Sequence, residues 1–228
     1  MKVWTKLASA VLLGLLAVPG ARAQNVEAVL GAMDRAAASF RSTEADFVWD
    51  QYTKVVEETD TQKGSVYFRR NGKEIQMAAD IVQPETKVVV YSDGQVKMYQ
   101  PKIDTLTVYN AGKNKTEMES FMVLGFGGRG HELLPSYDVT WGGAETVDGV
   151  KTEKLVLVPK LAKTRNVFNK IVLWIDPARG ISIRQQLFTP SGDYRLAKYS
   201  NIRINQKISD DVYKIKTTSK TKTLTPQG

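Results

Sequence analysis

The chain has 228 residues, with a formal net charge of +8, one histidine and no cysteine. Without cysteine there is no disulfide framework and no thiolate chemistry, and a single histidine leaves transition-metal sites and histidine-dependent triads little to build on. Three positive charges (Lys2, Lys6, Arg22) fall in the first 23 residues, leaving roughly +5, scattered except for "KTTSKTK" near the end; no basic stripe points to nucleic acid.

Lys2 and Lys6 precede an apolar run from Leu7 to Val18, followed by "PGARA" and Gln24. A positive start, a short apolar run and small residues at Ala21 and Ala23 make the pattern of a secretory signal peptide. The run is short for a bilayer span. The expectation is a signal peptide over residues 1–23 and a periplasmic chain over 24–228, about 205 residues, enough for one domain.

In "NVEAVLGAMDRAAASF", Val26, Val29, Leu30, Met33, Ala37 and Phe40 recur at three- and four-residue spacing, which predicts an amphipathic helix with Asn25 as its N-cap. From Ser42 the texture changes to alternating or β-branched runs. Strands are expected near 44–57, 62–70, 73–82, 86–92, 95–99 and 104–110, with hairpin turns at "RNG" and "SDG". Thr116 followed by Glu119 forms a capping box, so a second helix should start at Glu117 and stop at Gly125.

That helix decides the meaning of "GFGGRG", Gly125–Gly130. Its Gly-x-Gly-x-x-Gly spacing matches a dinucleotide-binding turn, which needs a strand before it and an acidic residue after the next strand. Here a helix precedes it, and Asp148 falls in the turn "VDGV". The nucleotide reading fails, and the glycines are expected to form a mobile loop that tolerates an added methyl group at Gly127. Strands then resume near 137–146, 150–160, 167–176, 180–189, 193–206 and 212–216, joined by "VDGV", "DPARG" and "PSGD". Such spacing implies an antiparallel meander curled into a barrel or half-barrel.

The search for reactive groups yields no catalytic site, metal site or cofactor site. His131 lies in "RGHELL" and reads as structural rather than as a general base. Asp46, Asp50, Glu57, Glu58 and Asp176 fit strand ends and turns. The chain offers instead apolar side chains on curved strands. In "SVYFRR", Val66 and Phe68 share a face with Arg70, and Val88, Val90, Val96 and Met98 are expected to continue it. The helices would cover that face with Leu30, Met33, Phe121 and Leu124. These residues either line a cavity or form a filled core; strand pattern alone supports both.

The order of features resembles the periplasmic outer-membrane lipoprotein carrier family (LolA-like, lipoprotein-sorting proteins). The resemblance runs through the first helix, "GSVYFRR", "VYSDGQVKMYQP", the helix "ESFMVL", "NKIVLWIDPARGISIRQQLFTPSGD" and "YSNIRINQKISDDVYKI". It implies a mainly β fold, an unclosed antiparallel half-barrel of about eleven strands with two or three helices as a lid over a hydrophobic cavity. It further implies a non-enzymatic carrier of lipoprotein acyl chains or other lipids, an inner-membrane donor complex and an outer-membrane acceptor. Arg70 matches the family arginine that latches the lid. Competing readings are a lipid or glycolipid sensor, a structural β domain with a packed interior, and a secreted hydrolase.

Overall fold

The computed structural model describes residues 19–72, 74–112 and 115–226. The positive start and apolar run of the expected leader lie outside the described residues. Two meanders make one sheet. The first comprises β1 (Ser42–Thr53), β2 (Glu58–Asn71), β3 (Glu74–Gln83), β4 (Lys87–Ser92), β5 (Gln95–Gln100) and β6 (Thr105–Asn110). The second comprises β7 (Tyr137–Val147), β8 (Val150–Pro159), β9 (Lys170–Asp176), β10 (Ile181–Phe188) and β11 (Tyr194–Ile204). Neighbours pair antiparallel within each meander, and β1 pairs antiparallel with β11 to weld the two. A short β12 (Lys222–Leu224) adds parallel to β6. The edges are β12 and β7, so the sheet is an open half-barrel rather than a closed barrel.

Local chemistry explains the tight connections. Asp93-Gly94 and Asp148-Gly149 have positive φ at both residues, the backbone that two-residue hairpins require. The expected strand at 212–216 is not formed. Asp210–Tyr213 is a 3₁₀ turn instead, begun by Ser209, whose hydroxyl accepts from the Asp211 amide at 3.2 Å. Asp210 pairs with Arg69, and the Arg69 guanidinium lies 4.1 Å from the centre of the Tyr213 ring. The sequence "VYKIK" thus follows a turn anchored on the outside of β2 instead of joining a ladder.

Among the described residues there are also three α-helices: α1 (Pro19–Ser39), α2 (Lys115–Met122) and α3 (Ala162–Arg165). Asn25 is not an N-cap, because α1 already begins at Pro19 and runs unbroken through it. Helix α2 already includes Lys115, two residues before the expected start; the Thr116 side chain of the expected capping box lies outside the described residues.

The concave face is divided between the two meanders. On the second, Leu155, Leu157, Ile171, Leu173 and Ile175 are fully buried against Val29, Leu30 and Met33 of α1. Each such aliphatic side chain contributes about 1.5–3 kcal/mol on leaving water. The opposite face of this half carries a smaller cluster of Val147, Val172, Trp174 and Ile183. Strand β9 is therefore buried on both sides, which is why "IVLWI" shows no alternation. On the first meander α1 is absent from the concave face, and a different arrangement covers it.

Candidate functional site

The concave face of the first meander is built from alternate residues brought level by register. Phe47 pairs with Gly64 on one side and Tyr199 on the other; Trp49 pairs with Ala197. Val66 pairs with Ala79, and Ala79 with Val89. These side chains enclose a cavity of about 440 Å³, bounded also by Ile81, Met122, Leu124, Leu187, Gln185 and Arg195. Such a volume falls within the roughly 300–1,000 Å³ of small-molecule sites, and its wall is almost wholly apolar.

The apolar residues singled out from sequence divide into five groups. Val66, Phe68 and Leu124 line the cavity. Val96 and Met98 pair with Tyr91 and Val89, so they continue the same face beyond the cavity wall. Val88 and Val90 are on the opposite face, a correction: in the run of three valines it is Val89 that opposes Ala79 and turns inward. Leu30 and Met33 do not cover the cavity either. Each is 1% exposed and spent on the packed half of the sheet, where α1 sits. Phe121 belongs to α2, but its side chain lies outside the described residues.

The glycine-rich loop is the cover that the sequence reading missed. Instead of a mobile loop, Gly125, Phe126 and Gly127 are buried. Phe126, 1% exposed, stacks on Phe68 at 5.5 Å between centroids and meets Tyr199 edge-on at 4.6 Å. Gly125 has φ +82 and Gly127 φ +77, which lets the chain turn back after α2. A Cβ on Gly127 would lie 2.5 Å from the Phe40 ring, so the expected tolerance of an added methyl group does not hold.

Three donors hold carbonyls of this segment. Gln185 Nε2 donates to the Leu124 carbonyl at 2.6 Å, the Ser182 amide to Gly125 at 2.8 Å, and Arg70 to Gly127 at 3.3 Å. The Arg70 bond is the longest, and of the two side-chain donors Gln185 is the more deeply buried. Tyr91 adds a tether to α2, donating to Glu119 Oε1 at 2.7 Å; burial, that hydrogen bond and the Glu119 charge push the phenol well above its usual range. Burial likewise raises Tyr199. In "IRQQLF" Gln185 takes the alternate position between Ile183 and Leu187, a signal of a buried polar anchor that pattern reading passed over.

His131 fixes the loop's far end to α1. Its Nδ1 lies 2.5 Å from Asp34 Oδ2 and its Nε2 3.0 Å from Glu27 Oε1, while its amide donates to Asp34 at 3.2 Å. Hydrogen bonds to Asp34 and then Glu27 raise the imidazole above its usual value. Burial works to raise Asp34, but hydrogen bonds from the His131 side chain and amide outweigh it and hold the carboxyl below its usual range. No cluster of three or more histidine, cysteine or carboxylate side chains suited to a metal ion occurs among the described residues. No helix among them is long and apolar enough to cross a membrane.

Comparison with known proteins agrees with this architecture. The family model described as outer membrane lipoprotein carrier protein LolA matches residues 38–216. No curated protein matches the sequence. Among solved structures, an uncharacterized conserved protein from Thermus thermophilus superposes with a TM-score of 0.56 at 12% identity, over 89% of this chain and 100% of that one. MucB gives 0.55 at 13% identity, over 85% of this chain and 63% of its own. The Pseudomonas aeruginosa MucA/MucB complex gives 0.53 at 13% identity, over 85% and 61%. The chain thus spans about three-fifths of the MucB length, and at these identities the likeness is one of fold.

Proposed function

The chain belongs to the LolA family of outer membrane lipoprotein carriers, and from that premise we propose that it carries acyl chains of lipoproteins or other lipids across an aqueous compartment. The observation that supports this reading is the apolar cavity of about 440 Å³, whose wall residues Phe68 and Tyr199 pack against Phe126 of the glycine-rich loop. A cavity walled by Phe47, Trp49, Val66, Met77 and Val89 gives water few hydrogen-bond partners, whereas each methylene placed there gains roughly 0.8 kcal/mol. Ten methylenes would gain roughly 8 kcal/mol before the cost of ordering the chain. That is enough to hold a chain in transit and small enough to release it to a deeper sink.

The proposed route is periplasmic, behind a signal peptide ending at Ala23, with an inner-membrane donor and an outer-membrane acceptor. It requires no catalysis, so the cavity's chemistry suffices. Native mass spectrometry of the exported protein mixed with mixed-chain phospholipid and a triacylated lipopeptide tests it. One bound amphiphile per chain is expected; protein that stays bare beside both ligands contradicts the carrier reading.

A further inference from the structure

Among the fifteen described residues that line the cavity, Arg195 alone carries a charge. It sits at the end remote from Phe126. Arg195 pairs with Gln51 on β1 and Leu187 on β10, whereas Phe126 rests against Tyr199, the partner of Phe47. Its guanidinium lies 5.8 Å from the Trp49 ring centre and 5.7 Å from that of Phe168. Aromatic faces orient a cation, yet they leave its in-plane N–H groups unused.

The other half-buried arginines among the described residues are paired. Arg69 meets Asp210, Arg179 meets Asp176 at 2.6 Å, and Arg184 meets Glu145 at 3.5 Å. Arg70 donates to the Gly127 carbonyl. Arg195 has neither a carboxylate nor a hydrogen-bond acceptor among the described residues. A guanidinium presents a planar fork that matches a carboxylate or phosphate in two parallel hydrogen bonds. Here that fork is held between two rings at the head of an apolar cavity.

We propose that Arg195 receives the anionic head group, carboxylate or phosphate, of an amphiphile whose acyl chain fills the cavity. The proposal rests on the carrier reading and narrows it to cargo with a negative charge next to its chain. The ring of Trp49 then serves both ends of the ligand, as wall for the chain and as support for the cation.

Displacement of a fluorescent acyl probe from the full chain tests this with three ligands of equal chain length: dodecanoate, dodecyl phosphate and dodecanol, all below their aggregation limits. Both anions should bind roughly ten- to hundredfold more tightly than the alcohol, the range for a hydrogen bond to a charged group. Arg195→Met should bring the anions down to the alcohol's affinity and leave the alcohol unchanged. Arg195→Lys, which keeps charge without the fork, should fall between. Acetate and inorganic phosphate should displace nothing; displacement of dodecyl phosphate by equimolar phosphate would mean a free-anion site and overturn the proposal. Equal affinity of anions and alcohol in the parent protein overturns it while the carrier reading stands. Failure of all three to bind overturns both. The parent comparison decides the matter even if Arg195→Met does not fold.

Discussion

The ring of Phe126 stacks on that of Phe68, with planes 13° from parallel, and so docks the glycine-rich loop on a residue of the cavity wall. Phe68 comes from β2 and Phe126 from the loop after α2, so this one contact joins wall to cover. Stacked pairs contribute about 0.5–1.5 kcal/mol beyond the area they bury. Phe126→Ala should therefore cost about 3 kcal/mol in urea unfolding and speed probe entry, since it removes packing and loosens the wall at Phe68 and Tyr199. An unchanged entry rate in stopped-flow fluorescence would assign Phe126 to stability alone.

Gly127 and Gly149 have nearly the same backbone, φ +77 and +79, but different surroundings. A Cβ at Gly149 meets nothing within 4 Å, while one at Gly127 meets the Phe40 ring at 2.5 Å. Gly149→Ala should cost about 1 kcal/mol from backbone strain alone. Gly127→Ala should cost about 1–3 kcal/mol more through overpacking. Equal losses in a matched thermal melt would show that the loop does not pack on Phe40 as described.

The anchors of the cover should be unequal. Gln185→Leu leaves the Leu124 carbonyl without its donor in a buried setting, for about 1–3 kcal/mol. Arg70→Ala removes a longer, more exposed bond and should cost under about 1 kcal/mol. Hydrogen exchange at residues 122–127 is the measurement. Faster exchange in Gln185→Leu than in Arg70→Ala is expected, and the reverse order would restore Arg70 as the principal latch.

Most strand positions are legible in the sequence because apolar residues alternate where one face is covered, as in Ala45, Phe47 and Trp49 of β1. Inward direction is legible at Val66 and Phe68 for the same reason. It is not legible in "KVVVYS", where three successive valines carry no period, and a shift of one residue exchanges the faces. Long-range placement is also silent. The 3.6-residue stripe of α1 shows that Leu30 and Met33 are buried, but not that β8 and β9 bury them. Glycine spacing in 125–130 shows a turn; only the approach of Phe40 and Phe68 shows that the turn is packed. The short α3 and the three residues of β12 carry too little pattern to stand out.

The His131 clamp gives a pH dependence with a definite sign. Its folded-state value is raised by Asp34 and Glu27, so the stabilisation is complete below the unfolded value of about 6.5 and is lost as pH rises through the folded one. Asp34 acts in the other direction: its value is lowered, so its contribution is present above about 3.9 and is lost as pH falls through the folded value. Melting temperature should thus decline from pH 6 upward in the parent and decline less in His131→Gln. Parallel profiles for the two proteins over pH 6–9 would remove His131 from this role.

Ala79 offers the most direct test of the cavity itself. It faces inward between Val66 and Val89, and the space before it belongs to the cavity rather than to a packed neighbour. Ala79→Phe should occupy that space with an apolar ring, leaving melting temperature within a few degrees of the parent while acyl-probe affinity falls at least about tenfold. Probe binding and melting temperature, measured on the same preparation, decide the account. Lost binding with a retained fold is the result it predicts; parent-like binding in a folded Ala79→Phe protein would contradict it.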